Sequence, residues 1–436
     1  MGDAVKVRLA KFIPALGLAN AHLMTLAPLA MRRTFPLTDC ISEKLTIDVD
    51  PPCEEFSAND QNPHLQQLKP DRNQVVVVLH RPEQLAQKYK NYAPLTKDLS
   101  KNLVLIVHGL EGSVESSYVK GVCEKALNIG FSVCRVNLRN CGDTLHLARG
   151  LYNAGMSEDI VAIAADLKKR FGFEQIFLSG FSLGGNIVLK AAGEQGHANN
   201  ARGHAVVERG QASIAGTQFD IESGAGHEQS EREPRDADNI IDAVCAVCPP
   251  VELDQCVSTI ERGENWLYEN GFLISLKEKV RAKNRLFPGR YDVEILSSIT
   301  SLRGFDNTFT APDAGYSDAA AYYHGASALR VISAINIPSL IVAAVDDPLV
   351  PISSFSGREF SETDNVTLLT PKNGGHVAFV SAGDIYLSDM ACAFETEMLS
   401  PKQNKSQLRD RFWSEWQVVK FFLSQALASS SARSVS

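Results

Sequence analysis

A chain of 436 residues, 44% hydrophobic and 22% charged, has the apolar material for a sizeable core, which excludes a fibrous or wholly disordered protein. Its formal net charge of -8 argues against a nucleic-acid binder, since no concentrated basic surface is implied. Nine cysteines, odd in number and without framework spacing, point away from a disulfide-stapled domain and toward a reducing compartment, hence a cytoplasmic location.

The stretch from Phe12 to Met31 carries no charge and is long enough to span a bilayer. Pro14, Asn20, His22 and Pro28 interrupt it and many of its apolar residues are alanine. It is therefore read as a buried or surface-lying segment, with peripheral or N-terminal membrane association as the alternative. Two strand-like runs follow, Ser42 to Asp48 and Gln74 to His80, the second holding four consecutive valines. From Asn102 onward strand and helix signals alternate, the pattern of a mostly parallel sheet with covering helices. Leu103 to Val107 reads as a strand buried on both faces, Ser117 to Asn128 as a helix and Phe131 to Asn137 as a strand. Ser157 is placed to cap a helix with Ile160, Ile163, Leu167 and Phe171 on one face.

Next comes Gly180-Phe181-Ser182-Leu183-Gly184-Gly185, between the apolar run Ile176-Phe177-Leu178 and a segment with helical spacing. A G-x-S-x-G string at a strand-to-helix joint reads as a nucleophile elbow. The turn is tight, the flanking glycines prevent collision across it, and Ser182 stands at the positive end of the following helix.

Residues 194–239, rich in Gly, Ser, His, Asn and charge, read as a flexible hydrophilic insertion. Ala243 to Val247 resumes the strand pattern, with Cys245 and Cys248 read as buried strand thiols rather than metal or redox ligands. Residues 251–335 have helical stretches without strand alternation and read as a cap over the catalytic edge. Leu340 to Val345 and Val366 to Leu369 are the late strands. A helix from about Gln407 to Ala426, with Phe412, Trp416, Val419 and Leu423 on one face, precedes a disordered tail at 429–436.

A serine alcohol needs a base within hydrogen-bond reach, itself oriented by a carboxylate. After Ser182 the chain supplies an acid in Val345-Asp346-Asp347-Pro348 and then a base in Gly374-Gly375-His376, the chain order of this fold. Asp347 is favoured over Asp346 because the aspartate directly before proline occupies the usual position of the acid. The Leu183 amide, and that of Leu110 in His108-Gly109-Leu110-Glu111-Gly112, are the candidate oxyanion donors. His108 reads as a structural member of its turn. No metal-ligand constellation or dinucleotide fingerprint is present in the sequence, so neither metal nor cofactor is expected.

The motifs HGLEGS, NLRNCGD, LYNAGMSEDI, GFSLGGN, FDNTFTAPDAGY, VDDPLVP and GGHVAF, in this order, resemble the YheT-like branch of the α/β-hydrolase superfamily, AB hydrolase family four. Phe12-Ile13-Pro14 with His22 and Thr25 is similar to that branch's N-terminal signature. The resemblance implies a single α/β-hydrolase domain, its core at about 40–250 and 336–428, with a helical cap and a triad of Ser182, Asp347 and His376. Its relatives include bacterial hydrolases, eukaryotic lipid esterases and fungal enzymes that make or cleave medium-chain ethyl esters. The chain departs from it in the insertion after the elbow helix and in extra residues from about Ala382 to Lys405. The expected activity is serine hydrolysis of small-molecule, acyl or lipid-like carboxylic esters through an acyl-enzyme. An acyltransferase using an alcohol in place of water, and a binding protein on a retired hydrolase fold, are the alternatives.

Overall fold

The structure, a computed structural model, describes residues 11–37, 40–50, 73–82, 98–214, 239–386 and 409–433. Eight strands form one sheet in the order β1-β2-β4-β3-β5-β6-β7-β8. They are β1 (Ile41–Asp48), β2 (Gln74–Arg81), β3 (Asn102–Val107), β4 (Ser132–Val136), β5 (Gln175–Phe181), β6 (Ala243–Val247), β7 (Ser339–Val342) and β8 (Val366–Leu369). The edge strand β1 alternates exposed and more buried residues, whereas β3 to β7 are buried throughout. Strands buried on both faces need cover on both, and the helices supply it.

β1 pairs antiparallel with β2, and β2 antiparallel with β4; every pairing from β4 to β8 is parallel. Parallel neighbours require crossovers, here through helices α2 (Ser117–Ile129), α3 (Ser157–Phe171) and α4 (Leu183–Ile214). Ile160, Ile163 and Leu167 of α3 pack on one face of the sheet with Ile187 and Val188 of α4. Val119 and Val122 of α2 pack on the other with Trp416 and Phe422 from the C-terminal region. Between Pro250 and β7 the chain leaves the sheet as a helical cap containing α5 (Leu253–Ile260), α6 (Trp266–Leu286) and α7 (Ala319–Ala326). Ahead of the sheet, α1 (Ala21–Ala30) occupies the second half of the uncharged N-terminal stretch. Among the described residues no helix is long and apolar enough to cross a membrane.

Several expectations need correction. The elbow helix does not give way to a loop at residue 194 but continues to Ile214. Gln195 explains why: its Oε1 accepts the amides of Ile240 and Ile241, and its Nε2 donates to the Ile241 carbonyl. A Cβ at Gly193 or Gly196 would strike the Val331 and Ala334 carbonyls at 2.4 and 1.8 Å. Small and polar residues that look like loop composition are thus helix-face contacts; the rest of the expected insertion, 215–238, lies outside the described residues. Ser157 is the first residue of α3 rather than its cap, and its hydroxyl donates to Glu194.

Phe412 is not on the last helix. It ends strand β10 (Arg409–Phe412), which pairs with β9 (Val380–Tyr386), and helix α8 (Trp413–Arg433) starts after it. The helix runs through much of the expected tail; residues 434–436, and the expected extra segment from residue 387 onward, lie outside the described residues. Glu415 anchors α8 by accepting from Lys125 of α2 at 2.7 Å and from Arg33 at 2.6 Å, in a cluster where Lys125 is wholly buried. Cys245 is a buried strand residue, but Cys248 lies beyond the end of β6 with a φ of 48°.

Candidate active site

β5 ends at Phe181 and α4 begins at Leu183, so Ser182 forms the turn alone, with a φ of 51° that a side-chain-bearing residue adopts only under constraint. The constraint is local. The Ser182 N–H donates to the Val247 carbonyl at 2.8 Å, and the Ser182 carbonyl accepts from Gly185 at 2.8 Å. A Cβ at Gly180 would lie 2.2 Å from the Gly184 carbonyl oxygen, and one at Gly184 2.5 Å from those of Val107 and His108. The motif's glycines are therefore demanded by backbone contact, not by flexibility. Asn186, fully buried one turn on, donates to the Ala154 and Ala326 carbonyls and accepts the Ala328 amide, fixing the elbow helix to the cap's return segment.

The three residues expected together from three strand ends do lie together. His376 Nε2 is 2.8 Å from Ser182 Oγ, and its Nδ1 is 2.9 Å from Asp347 Oδ2. With Nδ1–H donating to the carboxylate, Nε2 is left to accept the serine proton. Asp347 is buried, and its Oδ1 accepts the amides of Leu349 at 2.9 Å and Val350 at 3.0 Å. Asp346 faces elsewhere: it accepts the Gly375 amide at 3.0 Å and the Asn373 side chain at 3.3 Å. It braces the histidine's loop rather than its ring.

Leu110 and Leu183 both line the cavity that Ser182 and His376 open into. Leu183 is the first residue of α4, so its N–H has no intrahelical acceptor. In the facing turn, the Gly109 amide donates to the Tyr118 hydroxyl at 2.9 Å and that of Glu111 to the Tyr152 hydroxyl at 2.8 Å. The Leu110 amide between them has no acceptor among the described residues. His108 is fully buried; its Nδ1 is 2.7 Å from the Gly109 carbonyl and its Nε2 accepts the Leu138 amide at 3.1 Å. Burial lowers its pKa to about 4, so it is a neutral brace for the turn.

Sequence reasoning missed the residues that tie this turn to the cap. Glu111, at a φ of 56°, accepts from the Tyr152 hydroxyl at 2.8 Å and pairs with Lys279 of α6 at 2.9 Å. One turn along α6, Lys283 donates to Asn140 Oδ1 at 2.8 Å and to the Leu145 carbonyl at 2.7 Å, and its burial pulls its pKa down to about 7. Lysines on a cap helix ordinarily face solvent, and only the apolar residues around them could have signalled otherwise.

The cavity wall is mostly apolar, with Leu253, Phe272, Leu276 and Leu302 from the cap. Asp306 is its one carboxylic acid. It opens a π-helical turn, Asp306–Thr310, within the FDNTFTAPDAGY motif and accepts from the Tyr323 hydroxyl at 2.8 Å. Burial raises its pKa to about 6, so the folded state prefers the protonated acid. Its contribution to stability is fully present below the unfolded value near 3.8 and is lost as pH rises through 6. Urea unfolding at pH 4 and pH 8 should therefore show Asp306→Asn gaining on wild type at the higher pH. A stability difference that does not change with pH would contradict this assignment.

Among the described residues, Cys248, Asp347 and His376 form the cluster with metal-ligand chemistry. Its parts are otherwise engaged: Asp347 and the His376 Nδ1 hold each other, and burial pushes the Cys248 thiol well above its usual range. The arrangement suits proton handling between serine and imidazole better than an ion.

A mostly parallel sheet of this order, with a strained serine between its fifth strand and the following helix, defines the α/β-hydrolase fold. Residues 102–201 match the family described as alpha/beta hydrolase fold. Over 374 residues it is 26% identical to the putative esterase YheT of Escherichia coli (strain K12), covering 85% of this chain and 87% of that protein. It is 27% identical to the monoacylglycerol lipase of Saccharomyces cerevisiae, covering 71% of this chain and 63% of the yeast protein. To the phospholipase ABHD3 of Mus musculus it is 23% identical, with coverage of 64% and 58%. The chain thus spans about three fifths of those two eukaryotic proteins. Among solved structures it matches the Pyrococcus furiosus esterase Pf2001 at 14% identity and a TM-score of 0.41, covering 80% of this chain and 89% of that one.

Proposed function

We propose that the protein is a serine carboxylic-ester hydrolase acting on acyl or lipid-like esters through an acyl-enzyme. The observation that carries this reading is the 2.8 Å contact between Ser182 Oγ and His376 Nε2, on an elbow that opens into an apolar cavity. Ser182 attacks the ester carbonyl while His376 takes its proton; Asp347 holds the imidazole tautomer and stabilises the imidazolium. The amides of Leu110 and Leu183 receive the developing oxyanion. His376 then gives its proton to the leaving alcohol, and a water activated by the same imidazole releases the acid. The apolar cap lining and the lipase and phospholipase names of two relatives support an acyl chain as the group bound.

The test is a panel of p-nitrophenyl and glycerol esters of increasing chain length, with products followed in water and in the presence of ethanol or glycerol. Release of free acid that persists with the alcohol present is the expected result. Accumulation of a new ester in its place would make the protein an acyltransferase with the same acyl-enzyme. Absence of turnover across the panel, together with no fluorophosphonate labelling, would leave the binding-protein reading.

A further inference from the structure

The His376 loop is held by segments remote from it in the chain. Thr25 Oγ1, on α1, accepts the His376 N–H at 2.8 Å and donates to the Ala21 carbonyl at 2.8 Å. Cys248 Sγ accepts the Val377 N–H at 3.4 Å and stands 3.9 Å from the Gly375 carbonyl, so it grips the backbone on both sides of the histidine. Ser414 of α8 donates to the Val377 carbonyl at 3.2 Å. Such fixing is needed, because Gly375 and Val377 flank His376 with φ values of 57° and 71°. A non-glycine residue in that region persists only when its surroundings hold it there.

Of these supports, α1 is also attached to the cap. It packs on the loop so closely that a Cβ at Gly375 would lie 2.8 Å from both the Ala21 carbonyl and Thr25 Oγ1. Its His22 Nδ1 is 3.2 Å from the hydroxyl of Tyr268 on the cap helix α6, and the two rings stack with centroids 5.8 Å apart. The helix also lies outside residues 102–201, the part matched to the fold family. The geometry points to α1 as a strap between the cap and the base, with Thr25 the positioning residue that sets the His376 backbone and, through it, the reach of Nε2 to Ser182 Oγ. This rests on His376 being the base.

A displaced base slows chemistry more than it weakens substrate binding, since the proton acceptor matters in the transition state and the apolar cavity is left intact. Thr25→Val keeps the side chain's shape and the burial of neighbouring Met24 but leaves the His376 N–H without its acceptor; Thr25→Ser keeps the oxygen. With p-nitrophenyl butyrate, Thr25→Val is expected to lower kcat at least tenfold with KM within twofold, and Thr25→Ser to recover most of that loss. His376→Ala in the same series separates the two assignments: if it keeps wild-type kcat, the base assignment has failed rather than the strap. With His376→Ala inactive, a folded Thr25→Val within twofold of wild-type kcat, or a Thr25→Ser no better than it, overturns the strap. Should Thr25→Val not fold, Thr25→Ala set against Thr25→Ser carries the same comparison, and equal kcat in the two overturns it.

Discussion

Ser182→Ala is expected to abolish fluorophosphonate labelling and to lower ester turnover by roughly 10⁴-fold or more, because the other members of the triad have no nucleophile to activate. The residual rate over water would come from the oxyanion donors and substrate binding alone. Alanine carries the same backbone cost as serine at a φ of 51°, and the Ser182 hydrogen bonds to Val247 and Gly185 run through the backbone. The variant should therefore fold, which near-ultraviolet circular dichroism and thermal unfolding would verify. Labelling that persists in the folded variant would place the reactive group elsewhere.

Asp347→Asn should be nearly as damaging, at about 10⁴-fold in kcat, and Asp346→Asn should cost less than tenfold. The argument is geometric. Asp347 Oδ1 accepts the Leu349 and Val350 amides, so an asparagine there is obliged to keep its oxygen at that position. Its NH₂ then falls where Oδ2 now lies, 2.9 Å from His376 Nδ1, and forces the imidazole to carry its proton on Nε2. An Nε2–H cannot take the serine proton. Asparagine at 346 retains an oxygen for the Gly375 amide, so the loop keeps its brace. Comparing kcat for the two variants on one ester measures this directly, and equal losses would count against the assignment.

The sheet's parallel strands were readable because each is a short apolar run ended by a turn, as in Leu103 to Val107. Ser182, Asp347 and His376 were readable because each follows such a run, so the parallel topology carries all three toward one edge. What composition hid was of another kind. Gly193, Gln195 and Gly196 look like loop residues, and only their contacts with Ala334, Ile240, Ile241 and Val331 make them helix. Phe412 fitted a helical face yet pairs with Val380 in a hairpin, because strand pairing across a long separation leaves no local period. Lys279, Lys283 and Thr25 act through partners far along the chain, and a single sequence does not encode such pairings in any spacing.

The contact between Thr25 and His376 joins residues 351 positions apart. In order of synthesis α1 precedes the elbow, and Ser182 precedes His376 by 194 residues. Until those residues are made, Ser182 lacks the imidazole that the proposed mechanism gives it. On the proposed mechanism, Ser182 becomes a nucleophile only once the segment after β8 has docked between α1 and α8.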